Sequence, residues 1–216
     1  MLISILLPTR ERFDLMIESI KSLYEKANDP TKIELLLKLD NDNYKEYMDR
    51  VGEIHEITTN VKIVISDRKD GYDSLHHFFN ELGGVSEGEF LFIWNDDSTM
   101  ITEGWDKYVA EYSGELCILQ LDAKSEPNWI FPMVHRKIYE ILNHISLNPS
   151  SDTWLHFLAE LADIEKFEDR ILIHHNKQEE PNEEDMKLRH QSLYSPAQIK
   201  LRMEDANKIF AYLMEN

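Results

Sequence analysis

Short apolar runs alternate with amphipathic helical patterns over the first 120 residues, and this alternation restricts the possible folds more than any other feature. Five runs have the length and composition of buried strands: residues 2–8, 33–40, 61–67, 89–94 and 116–122. The segments between them repeat apolar residues at helical spacing. Strands that are apolar on both faces and alternate with helices are typical of a parallel sheet covered by helices. We therefore predict an α/β fold with a mostly parallel central sheet.

The second half of the chain has a less regular pattern. Residues 129–134 and 170–175 are further strand candidates, and a helix is predicted to begin near the polar residues 150–152. Charge without apolar periodicity predicts an exposed, mobile loop over residues 176–194, and a last helix follows with Ser195 as its N-cap. No repeat or linker divides the sequence, so we expect a single domain.

An excess of acidic residues restricts the partners. Lys and Arg number 23 against 41 Asp and Glu, which gives a formal net charge of −18. Nucleic-acid phosphates and anionic membranes both require a positive protein surface, so neither is expected as a partner. A metal ion or a few local cations can still hold an anionic substrate.

Two further features concern the compartment and the chemistry of the thiol. The one cysteine, Cys117, lies in an apolar run and is expected to be a buried, inert thiol. The first residues include no basic leader and no run long enough to cross a membrane. A cytoplasmic location without membrane insertion is therefore the default expectation.

Polar side chains follow the first four predicted strands, at the point where each strand ends. In an open parallel sheet, ligands bind beyond the carboxyl ends of the strands. The charged residues at these ends are Arg10, Arg12, Asp40, Asp42, Arg68, Asp96 and Asp97. Loops are commonly polar, so any single residue indicates little. The whole set predicts a binding site at this edge of the sheet.

Asp96 and Asp97 come directly after Asn95 and the apolar run FLFIW. Two adjacent carboxylates at a buried strand end lose hydration and repel each other. A divalent cation such as Mg²⁺ or Mn²⁺ would remove the repulsion. Alternatively, one of the two caps the following turn or helix. Their spacing alone does not decide between a metal site and a turn.

Several motifs of common enzyme classes are missing from the sequence. It contains no G-x-G-x-x-G, no G-x-x-x-x-G-K-[ST], no G-x-S-x-G and no H-E-x-x-H. A dinucleotide fold, a P-loop, a nucleophile elbow and a zincin site are therefore not expected. No Q-x-x-R-W is present either, which disfavours processive polysaccharide synthesis.

Three segments match one ordered pattern. SILLPTRER at residues 4–12 matches S-x-x-x-P-T-x-x-R, and Asp40 ends the second strand. Residues 68–98 contain, in order, an arginine, a glycine, a helical asparagine and a G-E-x-[ILF] strand that ends in Asn-Asp-Asp. This order resembles the GT-A fold glycosyltransferases, especially the non-processive family 2 type, over residues 3–112. The sequence departs from that family at Asn95, which replaces the first aspartate of D-x-D.

The resemblance implies a nucleotide-diphosphate sugar as donor, with a UDP-sugar expected, and Mn²⁺ or Mg²⁺ as cofactor. Asp97 corresponds to the direct metal ligand, and the metal stabilises the charge of the leaving diphosphate. Neutral Asn95 can still hydrogen-bond a ribose or a metal-bound water. The residues implied to bind the nucleotide sugar are Pro8, Thr9, Arg10, Arg12, Asp40, Arg68, Gly71, Asn80, Asn95 and Asp96.

Beyond residue 112 the resemblance is weak and implies few residues. The family places a carboxylate base at the start of a later helix, which Asp152 matches, and Trp154 could stack on an acceptor sugar. The alternatives are a helix cap for Asp152 and a core position for Trp154. A late histidine completes the metal shell in many GT-A enzymes, which makes His174 or His175 a candidate. Only one of the two can face the cleft on a strand, and a surface pair is the alternative.

The resemblance therefore implies a soluble glycosyltransferase that acts on an unidentified acceptor hydroxyl, with inversion if Asp152 is the base. Residues 1–112 would bind the nucleotide sugar, residues 113–194 would supply the acceptor and metal side, and residues 195–216 would form a C-terminal helical extension. The alternative is a non-catalytic GT-A-like module that binds a nucleotide or a sugar, because Asn95 departs from the family pattern.

Overall fold

One sheet of eight strands runs through the part of the chain that the structure, a computed structural model, describes: residues 2–123, 130–176 and 192–216. Its order is β3-β2-β1-β4-β7-β6-β8-β5. The strands are β1 (Ile3–Pro8), β2 (Ile33–Asp40), β3 (Val61–Ser66), β4 (Phe90–Ile93), β5 (Ser98–Met100), β6 (Ile118–Asp122), β7 (Met133–His135) and β8 (Glu165–His175).

Helices connect the strands and cover both faces of the sheet. The described α-helices are α1 (Phe13–Lys26), α2 (Lys45–Asp49), α3 (Val51–Ile57), α4 (Leu75–Val85), α5 (Trp105–Ala110), α6 (Arg136–Leu142), α7 (Ser151–Ala162) and α8 (Pro196–Glu215). Short 3₁₀ turns cover Pro30–Lys32 and Gly71–Ser74. α8 begins as its sequence predicts, because the Ser195 side chain accepts a hydrogen bond from the Gln198 N–H at 3.3 Å.

β1 lies at the centre of a parallel half-sheet. It pairs in parallel with β2 on one side and with β4 on the other, and β2 pairs in parallel with β3. The chain moves outward from β1 to β3 and then returns to the other side of β1 for β4. The carboxyl ends of β1 and β4 therefore border the point where the strand order reverses, and open α/β sheets bind ligands there.

The sheet is mixed beyond β4. β7 runs antiparallel to both β4 and β6, whereas β8 is parallel to β6 and antiparallel to β5. The predicted α/β fold is confirmed. The antiparallel strands β5 and β7 have only three residues each, which is too short for a periodicity to be recognised in the sequence.

The two faces of the sheet bury separate hydrophobic clusters. One cluster joins Ile5 of β1 to Met16 of α1 and Trp105 of α5. The other joins Leu6, the next residue of β1, to α4, α7 and α8, with Leu155 of α7 among its members. Adjacent strand residues point to opposite faces, so an uninterrupted apolar strand can supply both clusters.

Three sequence expectations have their outcome in this architecture. α8 packs onto the body of the molecule through Ala206 and Ile209, and no described helix is both long and apolar enough to cross a membrane. The expected burial of Cys117 is confirmed, and burial raises the pKa of its thiol to about 12. Apart from its ends, the loop predicted at residues 176–194 lies outside the described residues.

Candidate active site

A hydrogen-bonded chain links the ends of β1 and β4. The Thr9 hydroxyl donates to Asp96 Oδ2 at 2.8 Å and lies 3.1 Å from the Tyr47 hydroxyl. The backbone N–H of Arg12 donates to the same Tyr47 hydroxyl at 3.2 Å. Since Thr9 has one proton, its bond to Asp96 makes Tyr47 the donor in the second contact. Tyr47, which lies in α2 and was not predicted, therefore helps to fix the orientation of Asp96.

Asp96 is only 8% exposed, and burial raises the pKa of its carboxyl, although the Thr9 hydrogen bond and the nearby Arg12 guanidinium favour the charged form. Arg12 Nη1 lies 3.3 Å from Asp96 Oδ1 and 3.5 Å from Asp97 Oδ2. One guanidinium nitrogen thus acts as a shared counter-ion for the two adjacent carboxylates.

The pairing of β5 with β8 brings a histidine to Asp97. Ser98 pairs with His175, and the Asn176 N–H donates to the Asp97 carbonyl at 2.8 Å. His175 Nε2 consequently lies 3.1 Å from Asp97 Oδ1. His174 is exposed, because neighbouring residues of a strand face opposite sides, so the structure does not bring it to Asp97.

The geometry at Asp97 fits a shared metal ion. Asp97 Oδ1 is buried and accepts no hydrogen bond among the described residues, and the close His175 imidazole is not aligned to donate one. Neighbouring ligands of an octahedral ion at about 2.1 Å lie about 3.0 Å apart, close to the observed 3.1 Å. A carboxylate oxygen with an imidazole nitrogen suits Mn²⁺. The other imidazole nitrogen, His175 Nδ1, has no hydrogen-bond partner in the described chain.

Replacing Arg12 with methionine removes the cation that would compete with a metal ion for Asp96 and Asp97. We expect the nucleotide-free chain to bind Mn²⁺ about three- to tenfold more tightly, as measured by electron paramagnetic resonance titration. Arg50→Met is the matched control, because Arg50 also pairs with carboxylates at the surface, among them Asp14 and Glu53. An unchanged Mn²⁺ affinity in Arg12→Met would show that Arg12 does not compete.

Cations bind both oxygens of Asp40 at the end of β2. Arg10 Nη1 donates to Asp40 Oδ2 at 2.9 Å and to Asp42 Oδ1 at 2.5 Å, while Lys38 Nζ donates to Asp40 Oδ1. The Lys38 side chain is buried, and its Nζ lies 3.5 Å from the centroid of the Phe78 ring. The sequence contained a sign of this pair, since Lys38 is the one cation in the buried strand IELLLKLD.

The remaining donor-side residues surround this edge. Pro8 is the last residue of β1, and the carbonyl of Asn95 accepts a hydrogen bond from the Ser19 hydroxyl at 3.2 Å. Arg68 is exposed and folds over Gly71, where an added Cβ would lie 3.3 Å from Arg68 Nε. Gly71 has a φ of +62°, which favours glycine. Arg68 also helps Arg10 to keep the pKa of Asp42 below its usual range.

Asn80 has a structural role that the family resemblance did not indicate. Its Oδ1 accepts from the N–H groups of Ile145 and Ser146 at 2.7 and 3.1 Å, and its Nδ2 donates to the Ser146 carbonyl at 2.8 Å. The amide thus joins α4 to the loop before α7. These bonds occupy the side chain, so the structure does not present Asn80 to a nucleotide sugar.

Asn80→Ala is expected to lower the free energy of unfolding by about 2–3 kcal/mol, because two backbone N–H groups and a carbonyl lose their partner. Urea denaturation measures this change. The control is Asn207→Ala on the exposed side of α8, for which we expect a change below about 0.5 kcal/mol. A loss of nucleotide binding without a loss of stability would instead restore the predicted donor role.

Asp152 and Trp154 lie in the first turn of α7 but in different surroundings. Asp152 Oδ1 accepts from the Thr153 N–H at 2.7 Å. Burial raises the pKa of Asp152, whereas Thr153 and the charge of His175 act in the opposite direction, which places Asp152 within electrostatic range of His175. Trp154 is 0% exposed and packs in the core, so the predicted stacking of this ring on an acceptor is wrong.

A second set of possible metal ligands lies farther along α7. His156, Glu160 and Glu165 each offer one atom within 4.8 Å of the others. His156 Nδ1 already lies 2.9 Å from Glu165 Oε1, and its Nε2 lies 3.8 Å from Glu160 Oε2. These groups satisfy one another and do not require an ion.

Comparison with solved structures identifies the fold of this chain. No family model and no curated protein matches the sequence. The solved structure of S. aureus TarS residues 1–349 matches with a TM-score of 0.67 and 15% identity, over 100% of this chain and 74% of that one. The same fragment in complex with UDP-GlcNAc matches with a TM-score of 0.62 and 16% identity, over 98% and 73% of the two chains.

A structure from Pyrobaculum calidifontis also matches. Its mannosyltransferase PcManGT, in complex with GDP-Man and Mn²⁺, has a TM-score of 0.66 and 11% identity, over 99% of this chain and 75% of that one. A longer TarS structure is matched over 43% of its length. At these identities the likeness establishes a common architecture, and the predicted GT-A fold is confirmed.

Proposed function

We propose that this chain is a metal-dependent glycosyltransferase that transfers a sugar from a UDP-sugar to an acceptor hydroxyl with inversion. The observation that supports this most strongly is the pair formed by Asp97 Oδ1 and His175 Nε2. These atoms lie 3.1 Å apart at the end of β4, and the buried carboxylate oxygen accepts no hydrogen bond in the described chain. Solved structures of the same architecture hold UDP, UDP-GlcNAc, or GDP-Man with Mn²⁺.

The nucleotide end of the donor would bind at the carboxyl ends of β1 and β2. Asp40 lies between the cations Arg10 and Lys38, and each of its oxygens retains a lone pair that can accept from the N–H of a nucleobase. Uracil offers such a donor at N3. Arg10 pairs with Asp42 as well as Asp40, so its guanidinium has a fixed direction before the ligand arrives.

The diphosphate would lie between the two nucleotide-side strands and the Asp97–His175 pair. A bound Mn²⁺ or Mg²⁺ would stabilise the negative charge that develops on the leaving diphosphate. Asp97 and His175 would hold this ion. The hydrogen bond from Thr9 would fix the orientation of the neighbouring Asp96 carboxylate. Arg12, which is 43% exposed, can turn from the two carboxylates to the phosphate oxygens once a metal ion neutralises the carboxylates.

Asp152 would act as the general base on the acceptor hydroxyl. Asp152 lies in the first turn of α7, and the charge of His175 acts on its carboxyl. Burial raises its pKa, which makes the ionised carboxylate a stronger base than an exposed aspartate. The deprotonated acceptor oxygen would attack the sugar carbon from the side opposite the diphosphate. As the new bond forms, the bond between that carbon and the diphosphate oxygen would break, which inverts the configuration at the carbon.

A panel of nucleotide sugars with and without Mn²⁺ tests the proposal. We expect UDP to raise the melting temperature only when Mn²⁺ is present, and one UDP-sugar to be hydrolysed slowly to UDP in the absence of an acceptor. Mn²⁺-dependent stabilisation without release of nucleoside diphosphate would favour the non-catalytic binding module. Stabilisation by no nucleotide would contradict both functions.

A further inference from the structure

A guanidinium with no anionic partner among the described residues is buried between α7 and α8. Arg202 is 4% exposed, and its Nη1 forms no hydrogen bond within the described residues. Its nearest described partners are aromatic, since Cζ lies 5.5 Å from the ring centroid of Trp154 and 5.0 Å from that of Phe157. The indole N–H of Trp154 is also buried without a described partner. Arg202 Nη1 and the Trp154 indole N–H are thus two buried donors without an acceptor among the described residues.

This isolation is unusual among the arginines that the structure describes. Arg10, Arg12, Arg50 and Arg170 each have a carboxylate oxygen within 4.0 Å, and Arg68 is exposed to water. A buried charge is unfavourable unless it is paired, and aromatic faces compensate for only part of the lost hydration. Burial accordingly lowers the pKa of Arg202. An anion that reached the guanidinium would gain a charge-assisted hydrogen bond at little further desolvation.

Arg202 lines a groove of about 350 Å³ that has apolar walls. The walls consist of Phe157, Leu161, Tyr194, Ile199 and Met203. Four of these five side chains are large, apolar and well exposed; Met203, for example, is 53% exposed. A volume of this size matches a small ligand, and contiguous exposed apolar surface around one buried polar group is typical of binding sites.

We propose that this groove binds a small amphipathic carboxylate. Its head group accepts hydrogen bonds from Arg202, and its hydrocarbon body covers the apolar walls. One positive charge matches one carboxylate. Glu160 also lines the groove, and together with the net charge of −18 it disfavours a doubly charged head group such as a phosphate monoester.

Octanoate is the probe for this site, and calorimetric titration of the full chain measures its affinity without any nucleotide sugar. The result is therefore independent of the proposed transferase activity. We expect octanoate to bind about tenfold more tightly than octanol, which lacks the charge, and than acetate, which lacks the hydrocarbon. Octyl phosphate is expected to bind more weakly than octanoate.

Three variants assign the binding to this groove. Arg202→Met should bind octanoate and octanol equally, and its melting temperature should rise because an unpaired buried charge is removed. Met203→Asp should weaken octanoate binding by repulsion. Met214→Asp, on the same helix but 87% exposed and outside the groove, should leave it unchanged.

Several results would overturn the proposal. Octanoate that binds no more tightly than octanol would mean that the groove is only an apolar surface. A preference for octanoate that persists in Arg202→Met would place the ligand elsewhere, and tighter binding of octyl phosphate would contradict the carboxylate. A dimer that Arg202→Met dissociates would make a second copy of the chain the occupant of the groove.

Discussion

Asp97→Asn is expected to remove most of the joint stabilisation of the protein by UDP and Mn²⁺. The substitution keeps the shape of the side chain but removes the charge that would pair with a metal ion beside His175. If Mn²⁺ affinity falls about 100-fold, stabilisation at a concentration of 100 times the wild-type Kd falls from about 2.7 to about 0.4 kcal/mol. In a chain of this size, the melting-temperature shift would fall from about 5–10 °C to about 1 °C, which thermal unfolding measures directly.

Asp163→Asn provides the matched control for this experiment. Asp163 is exposed at the end of α7 and has a φ of +53°, a backbone conformation that asparagine adopts readily. Asp163→Asn removes one negative charge, as Asp97→Asn does, but it lies outside the site. The Mn²⁺-dependent shift in melting temperature should therefore be retained. A full Mn²⁺-dependent shift in Asp97→Asn would show that the metal binds at other residues.

Asp152→Asn is expected to lower the rate of sugar transfer by about 10²- to 10⁴-fold, the usual contribution of a general base. UDP binding in the presence of Mn²⁺ should not change, because the Asp40 and Asp97 groups remain intact. Release of UDP in the presence of acceptor measures the first quantity, and the melting-temperature shift measures the second. An equal loss of binding and turnover would make Asp152 a structural residue, and unchanged turnover would exclude it as the base.

The pH dependence of transfer gives an independent test of Asp152. Because burial raises its pKa, the carboxylate is protonated at a higher pH than an ordinary aspartate, whose pKa is about 3.9. Activity should therefore fall on acidification at a pH above that value. Thr153→Val removes the neighbouring hydroxyl, 3.3 Å from Asp152 Oδ1, that favours the ionised form, so the acid limb should move to higher pH. If the acid limb of the pH profile does not move, a group other than Asp152 causes the fall in activity.

The first half of the fold could be predicted because its strands are long and buried on both faces. β1 and β2 are mostly apolar and almost entirely buried, and their polar ends stand out in the sequence. The histidine beside Asp97 was predictable only as a choice between His174 and His175. The deciding element is β5, whose three residues fix the register with β8 and thereby select His175. No periodicity can be read from three residues.

The errors come from side chains whose partners are distant in sequence. Trp154 stands beside a candidate base, which suggested an acceptor platform, but α8 covers it and it belongs to the core. Asn80 matches a family position, yet its amide is used by a loop 65 residues later. Tyr47 was missed because its importance depends on a contact with Thr9, 38 residues away, that no local pattern encodes.

The pairing of β5 with β8 has a consequence for the order in which the protein becomes competent during synthesis. Chains emerge from the ribosome at about 5–20 residues per second, and folding begins from the amino-terminal side. The strands β1 to β4 can pair early, but Asp97 meets its imidazole only after residue 175 has been added and β8 has joined the sheet. A nascent chain would therefore gain the nucleotide-side pocket well before the cation site. If Asp97 and His175 hold a metal ion, that delay would keep an incomplete chain from binding metal and nucleotide together.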